Sequence, residues 1–300
     1  MCRLLYIQRL KKMKIRTITS TVYVLAVIAL CAGKWLIPDG YGALLFDAVF
    51  CLIGGIGAFE LIRALGGVSV LQRAIAITFS ALAAPLFALM ALLTGSGWLG
   101  AADALALGAV LLCVMFVADH NRSDLTSTLR SLFVLVYVGL LTALLSAVNH
   151  MTNNSMLAIM VLFICTPFTD AAAFLTGMAL GRRLPAKLAP AVSPNKTIVG
   201  AIGGLIGGIA GGVAAYYLFV VLGGQPVFNT ALPGWAAAII IGFAVSIATQ
   251  FGDLFESAIK RAAGVKDMGK LLPGHGGVLD RFDGTLFAGI VVFIAFAFIA

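Results

Sequence analysis

Nineteen of the twenty Lys and Arg residues fall either before the first of nine long apolar runs or in, or within two residues of, the even-numbered connections between them. The runs cover 20–37, 42–62, 74–94, 99–118, 129–149, 156–180, 198–222, 234–251 and 284–300. Each is close to the ~20 residues that a helix needs to cross a bilayer. The N-terminal segment carries Arg3, Arg9, Lys11, Lys12, Lys14 and Arg16. The second connection has Arg63 and Arg73, and the fourth has Arg122 and Arg130. The sixth has Arg182, Arg183, Lys187 and Lys196, and the eighth has Lys260, Arg261, Lys266, Lys270 and Arg281. The odd connections have none. Lys34, near the outer end of the first run, is placed to snorkel towards the headgroups. This alternation is what the positive-inside rule predicts for nine helices with a cytoplasmic N-terminus. A missed or invented span would break it.

Composition agrees: 61% of residues are hydrophobic and 11% charged, against about 25% charged in soluble domains. The expected fold is therefore an all-α integral membrane protein, one polytopic domain over residues 1–300. The net charge of +8 reads as topology plus attraction to anionic lipid and phosphates, with no nucleic-acid partner. Cys2, Cys31, Cys51, Cys113 and Cys165 show neither paired nor metal-ligand spacing, and most lie in apolar runs as small hydrophobic residues. The first run reads as a retained anchor rather than a cleaved signal, and Met13 is an alternative start.

Two cytoplasmic segments, 181–197 and 252–283, depart from a plain bundle. The second holds five of the twelve acids (Asp253, Glu256, Asp267, Asp280 and Asp283) beside five cations. Orientation is a Lys/Arg effect to which acids contribute little, so topology alone does not account for them. Asp253, Glu256, Ser257 and Lys260 are spaced i, i+3, i+4 and i+7, on one helix face, with Arg261 beside it. Pro273-Gly274-His275-Gly276-Gly277 follows, where glycines let backbone N–H groups approach an anion. Asp280 and Asp283 then repeat the i, i+3 spacing. Carboxylates with substrate phosphates are how Mg²⁺ is usually held, and Lys and Arg suit phosphate oxygens. Together they point to metal-assisted phosphoryl or nucleotidyl transfer at the cytoplasmic membrane face.

Residues 257–283 resemble the signature of phosphatidate cytidylyltransferases, the CDP-diacylglycerol synthases. The match rests on Ser257, Lys260, Arg261, Lys266, Asp267, Pro273, His275, Gly276, Gly277, Asp280, Arg281 and Asp283. Lys14–Thr17, Phe59-Glu60-Leu61, and Asp170 with Ala172–Phe174 extend it more weakly along the chain. Ser193-Pro194-Asn195-Lys196-Thr197-Ile198-Val199-Gly200 resembles the family's Ser-Pro-Lys-Lys-Thr-x-Glu-Gly element, with Asn195 in place of a lysine and Val199 in place of the glutamate.

The resemblance implies transfer of CMP from CTP to phosphatidic acid in the bacterial inner membrane, with Mg²⁺ and room for a second cation. It implies Asp253, Asp280 and Asp283 as metal ligands, with Asp253, Asp280, Lys260, Arg261 and His275 as the catalytic set. Ser193, Lys196, Thr197, Ser257, Lys266, Asp267, Gly276, Gly277 and Arg281 would contact substrate. Asp170 joins them as an intramembrane acid, beside Pro167, which is expected to break its helix. Asp47 and Asp103 are expected to be solvated or to cap helices, and His120 and His150 to be ordinary loop residues. Gly203, Gly207 and Gly211, with Gly204, Gly208 and Gly212, form small-xxx-small stripes for helix packing, and glycine faces also suggest a homodimer.

Three rival readings make different predictions. A CTP-dependent enzyme acting on another lipid phosphate or lipid alcohol would share the nucleotide-handling residues. A transporter would concentrate acids near the midplane and show two related halves, and the sequence has neither. A non-catalytic lipid-binding relative would not need the full charged signature.

Overall fold

The computed structural model describes residues 21–37, 40–119, 124–228, 232–271 and 276–299. Among them are nine helices: α1 (Thr21–Leu36), α2 (Ala43–Leu65), α3 (Val70–Thr94), α4 (Trp98–Ala118), α5 (Leu125–Asn149), α6 (Ser155–Leu180), α7 (Ile198–Val221), α8 (Gly234–Ala262) and α9 (Leu279–Ile299). A short antiparallel hairpin, β1 (Lys187–Ala189) and β2 (Ser193–Thr197), joins α6 to α7. Helices α2 to α9 are all long and apolar enough to cross a membrane, whereas α1 is apolar but shorter. The chain is an all-α integral membrane protein, as expected. The basic segment before α1, His120 and His275 lie outside the described residues.

Local chemistry sets the helix starts. Ser69 and Gln72 form a reciprocal capping box that opens α3, four residues before the apolar run at 74. Asp124 Oδ1 accepts from Ser127 N at 2.7 Å and opens α5. Within α5, residues Leu135–Leu140 make a π-helical turn, which rotates the helix beyond it and presents Tyr137 to α8 and α9.

The glycine stripes do what their spacing requires, inside one chain. Gly203, Gly207 and Gly211 face α6: a Cβ at Gly211 would stand 2.8 Å from Cys165 Cα. Gly204, Gly208 and Gly212 face α8: a Cβ at Gly212 would stand 2.6 Å from the Ala238 carbonyl oxygen. Helix α7 is thus clamped between α6 and α8 at backbone contact. Both stripes are occupied, so a homodimer cannot use them. Pro167 does not break α6, which runs unbroken from Ser155 to Leu180. Its flanking hydroxyls, Thr166 Oγ1 and Thr169 Oγ1, donate to the Leu162 and Cys165 carbonyls and stay within the helix.

Asp47 and His150 correct the sequence expectation. Asp47 is buried, neither solvated nor a cap. It accepts from Ser146 Oγ and pairs with His150 Nε2 at 2.7 Å. Lys34 does not snorkel outwards: its Nζ donates to Asn149 O at 2.7 Å and Oδ1 at 2.8 Å, and Asn149 Nδ2 donates to Ala43 O at 2.8 Å. A buried carboxylate needs partners, and the end of α5 supplies Ser146 and His150 to Asp47. Asp103 is exposed, as expected.

Candidate active site

The other end of the bundle gathers the signature. Helix α8 continues to Ala262, well past its apolar stretch, and α9 begins at Leu279. Segment 252–283 is therefore helical at both ends, as the spacing of its charged residues predicts. Lys260 and Arg261 fall in the last turn of α8 and Asp280 in the first turn of α9, each sign at the favourable end of the helix dipole. Gly264, at φ +69°, ends α8, with Val265 N donating to Lys260 O at 2.9 Å.

The predicted helix face is real. Lys260 Nζ donates to Asp280 Oδ1 at 2.9 Å and lies 3.4 Å from Glu256 Oε1. Ser257 Oγ is 3.5 Å from Asp253 Oδ1. Asp280 Oδ2 accepts from Met268 N at 2.9 Å and Gly277 N at 2.7 Å. Asp283 Oδ1 accepts from Gly284 N at 2.7 Å, and its carboxyl meets that of Glu256. Glu256 is fully buried, with no hydrogen-bond donor to either oxygen.

The hairpin closes over this face from the side. Lys196 Nζ lies 2.6 Å from Asp253 Oδ2, and Arg261 Nε donates to Val192 O at 3.3 Å. Asp170 joins from α6, within electrostatic reach of Asp253, Asp283, Lys196 and Arg281. Five carboxylates and their cations, from three helices and a hairpin, therefore occupy one end of the molecule.

Other predicted residues have different jobs. Thr197 Oγ1 caps α7, accepting from Gly200 N at 3.1 Å, so its hydroxyl is committed to the helix. The Gly277 N–H serves Asp280 rather than an open anion site. Gly276 takes φ +88°, and a Cβ there would press on Asp280 Oδ2 at 2.8 Å. Ser193 opposes Ala189 in the hairpin. Arg261, Lys266, Asp267 and Arg281 are exposed around the rim. Asn195 is exposed on β2, and Val199 lies in the first turn of α7.

Sequence reasoning left three residues out of the site. Glu256 was placed on the right face without a role. Tyr137 has a buried hydroxyl without a partner and a ring packed against Phe133 and Phe255, near Glu256 and Asp283. Glu60, from α2, accepts from Val278 N at 3.1 Å and Leu279 N at 2.9 Å. Its signal was the acid in Phe59-Glu60-Leu61 at the end of an apolar run.

Nine apolar helices with an acid-and-lysine cluster gathered at one end of the bundle define a polytopic membrane protein. The chain belongs to the cytidylyltransferase family, whose model matches residues 14–299. A protein of Bacillus subtilis (strain 168) named phosphatidate cytidylyltransferase is 31% identical over 252 residues, 82% of this chain and 86% of that protein. Proteins of the same name from Brucella suis biovar 1 (strain 1330) and Helicobacter pylori (strain J99) are 38% and 37% identical over 161 and 142 residues. Those two matches cover 53% and 47% of this chain, and the chain spans about half of each relative, 54% and 48%.

Proposed function

We propose that this chain transfers CMP from CTP to phosphatidic acid, releasing pyrophosphate and giving CDP-diacylglycerol, at the cytoplasmic face of a bacterial inner membrane. The observation that carries this reading is the interleaving of Lys196, Lys260 and Arg261 with Asp253, Glu256, Asp280 and Asp283 at one end of the bundle. Family membership and the relatives' name support it. The Lys/Arg alternation supports a cytoplasmic N-terminus and site.

In this reaction a phosphatidate oxygen attacks the α-phosphorus of CTP, and the bond to the pyrophosphate oxygen breaks. The nucleophile is already anionic, so the barrier is repulsion between polyanions plus charge growing on the leaving group. Fixed cations act on both. Lys260, held by Asp280 and Glu256, presents its charge to the reacting phosphates. Lys196 on the hairpin, with Arg261, Lys266 and Arg281 at the rim, draws in the triphosphate and the lipid head.

The donor set fits Mg²⁺. Glu256 has two buried oxygens without donors beside the Asp283 carboxyl, and two touching carboxyls hold together only by sharing a proton or a cation. Asp253 and Asp283 would hold the ion with Glu256, and Asp280 would join through lone pairs not used by Lys260 and the amides. Among the described residues no three His, Cys, Asp or Glu form a ready-made cage, so waters and substrate oxygens would complete the shell, as is usual for Mg²⁺. When bound, the ion would neutralise phosphate charge and steady the leaving pyrophosphate.

The test is turnover of labelled CTP by purified protein in detergent, with phosphatidic acid, an isoprenoid phosphate and diacylglycerol offered in turn. Phosphatidic acid is expected to be consumed in a Mg²⁺-dependent manner that EDTA abolishes. Consumption of another lipid alone would favour the rival lipid enzyme.

A further inference from the structure

We infer that Glu60 is a positioning residue for the site, acting through Asp280 from a helix that otherwise contributes nothing to the chemistry. The inference rests on the proposed role of the signature segment and adds a residue to it.

Its geometry exceeds that of an ordinary helix cap. A cap is normally supplied by the residue just before the helix. Here the carboxylate comes from 218 positions away in sequence, on α2, and is 4% exposed. Oε1 accepts from Val278 N and Oε2 from Leu279 N. The preceding amide, Gly277 N, donates to Asp280 Oδ2, as does Met268 N across the turn. Three successive amides are thus divided between two carboxylates, one anchored on α2 and the other being the residue to be placed.

Two glycines of the turn make room for this. A Cβ at either Gly269 or Gly277 would collide with the Glu60 carboxylate. Both residues stand within the family-like signature, and their bareness here serves an acid of the protein itself. With Glu60 in place, the turn can neither rotate nor lift. Asp280 then keeps Oδ2 on the amides and turns Oδ1 to Lys260 at 2.9 Å. Without it, Val278 N and Leu279 N lose their hydrogen bonds to α2, and the Asp280–Lys260 pair loses its register.

Glu60→Gln keeps size and polarity but turns an NH₂ group towards an N–H donor. The expected result is a folded protein whose kcat/KM falls ~10–100-fold, the usual cost of removing a group that orients a ligand. The loss should fall mainly in kcat, because the rim cations that capture CTP are untouched. In an Asp280→Asn background the same change should cost little more, since both act through one group. Amide exchange gives a readout that needs no turnover. Val278 and Leu279 should exchange roughly 10-fold faster or more on loss of charge-assisted bonds, and Met268 and Gly277 should follow.

If Glu60→Gln does not fold, Gly277→Ala displaces the carboxylate without removing it and should reproduce the pattern. Unchanged exchange at Met268 and Gly277, or losses that multiply with Asp280→Asn, overturns the proposal. Wild-type protein that ignores phosphatidic acid refutes the functional reading instead, and the exchange data still decide Glu60.

Discussion

The bundle carries a polar cluster at each end, and the two are built on opposite terms. At one end Asp47, Ser146, Asn149, His150 and Lys34 form a closed set, in which each charged group meets a specific partner from another helix. At the other end Glu256 is equally buried, yet no donor hydrogen-bonds its oxygens, the nearest cation, Lys260, stands 3.4 Å away and is shared with Asp280, and it faces a second carboxyl. The first arrangement is complete without anything from outside. The second is complete only when a proton or cation is added. Burial of charge is therefore not itself the mark of function; incomplete pairing is.

The largest expected effect tests the closed end. Asp47→Ala strands the part-buried His150 and removes the side-chain link between α2 and the end of α5, so stability in a mixed-micelle denaturation titration should fall by about 3–5 kcal/mol. Turnover per folded molecule should stay within about twofold of wild type, as a site far from the reacting groups requires. A large loss of turnover would erase the distinction.

Asp280→Asn comes next, at the open end. It removes a charge that orients Lys260 and should lower kcat/KM ~10²–10³-fold, with the protein still folded by circular dichroism. Glu256→Gln sharpens the contrast. Replacing a buried carboxylate that has no hydrogen-bond donor and abuts the Asp283 carboxyl should raise stability by ~1 kcal/mol while activity falls ~10-fold or more, the usual opposition between a strained site and its fold. Stability that drops instead would mean that Glu256 is structural. The smallest effect belongs to Lys196→Ala. Its pair with Asp253 is partly exposed (side chains 27% and 38%), so stability should change by only ~0–1 kcal/mol. KM for CTP should rise, which a titration of initial rate against CTP measures.

The spans were legible because hydrophobic length reports directly on a bilayer, and the face of Asp253, Glu256, Ser257 and Lys260 was legible because helical spacing is local. The ends of α8 and α9 were not, since a helix keeps its hydrogen bonds after its side chains turn polar. Hence 251 and 284 fell short of Ala262 and Leu279. The hairpin is too short and polar to leave a pattern. Glu60, Asp47 and Lys34 share one difficulty: each finds its partner more than 100 residues away, beyond any local signal. Gly277 misled for a related reason, as the anion it accommodates belongs to α2.

The overrun of α8 also fixes the depth of the site. Its 29 residues make a rod roughly 43 Å long, against a hydrocarbon slab of about 30 Å. With its apolar stretch filling that slab, its last three turns, which carry Asp253 to Lys260, would emerge at the level of lipid phosphates. In the proposed reaction a lipid headgroup would reach them by sliding sideways, with its tails still in oil, while a water-borne nucleotide would arrive from above.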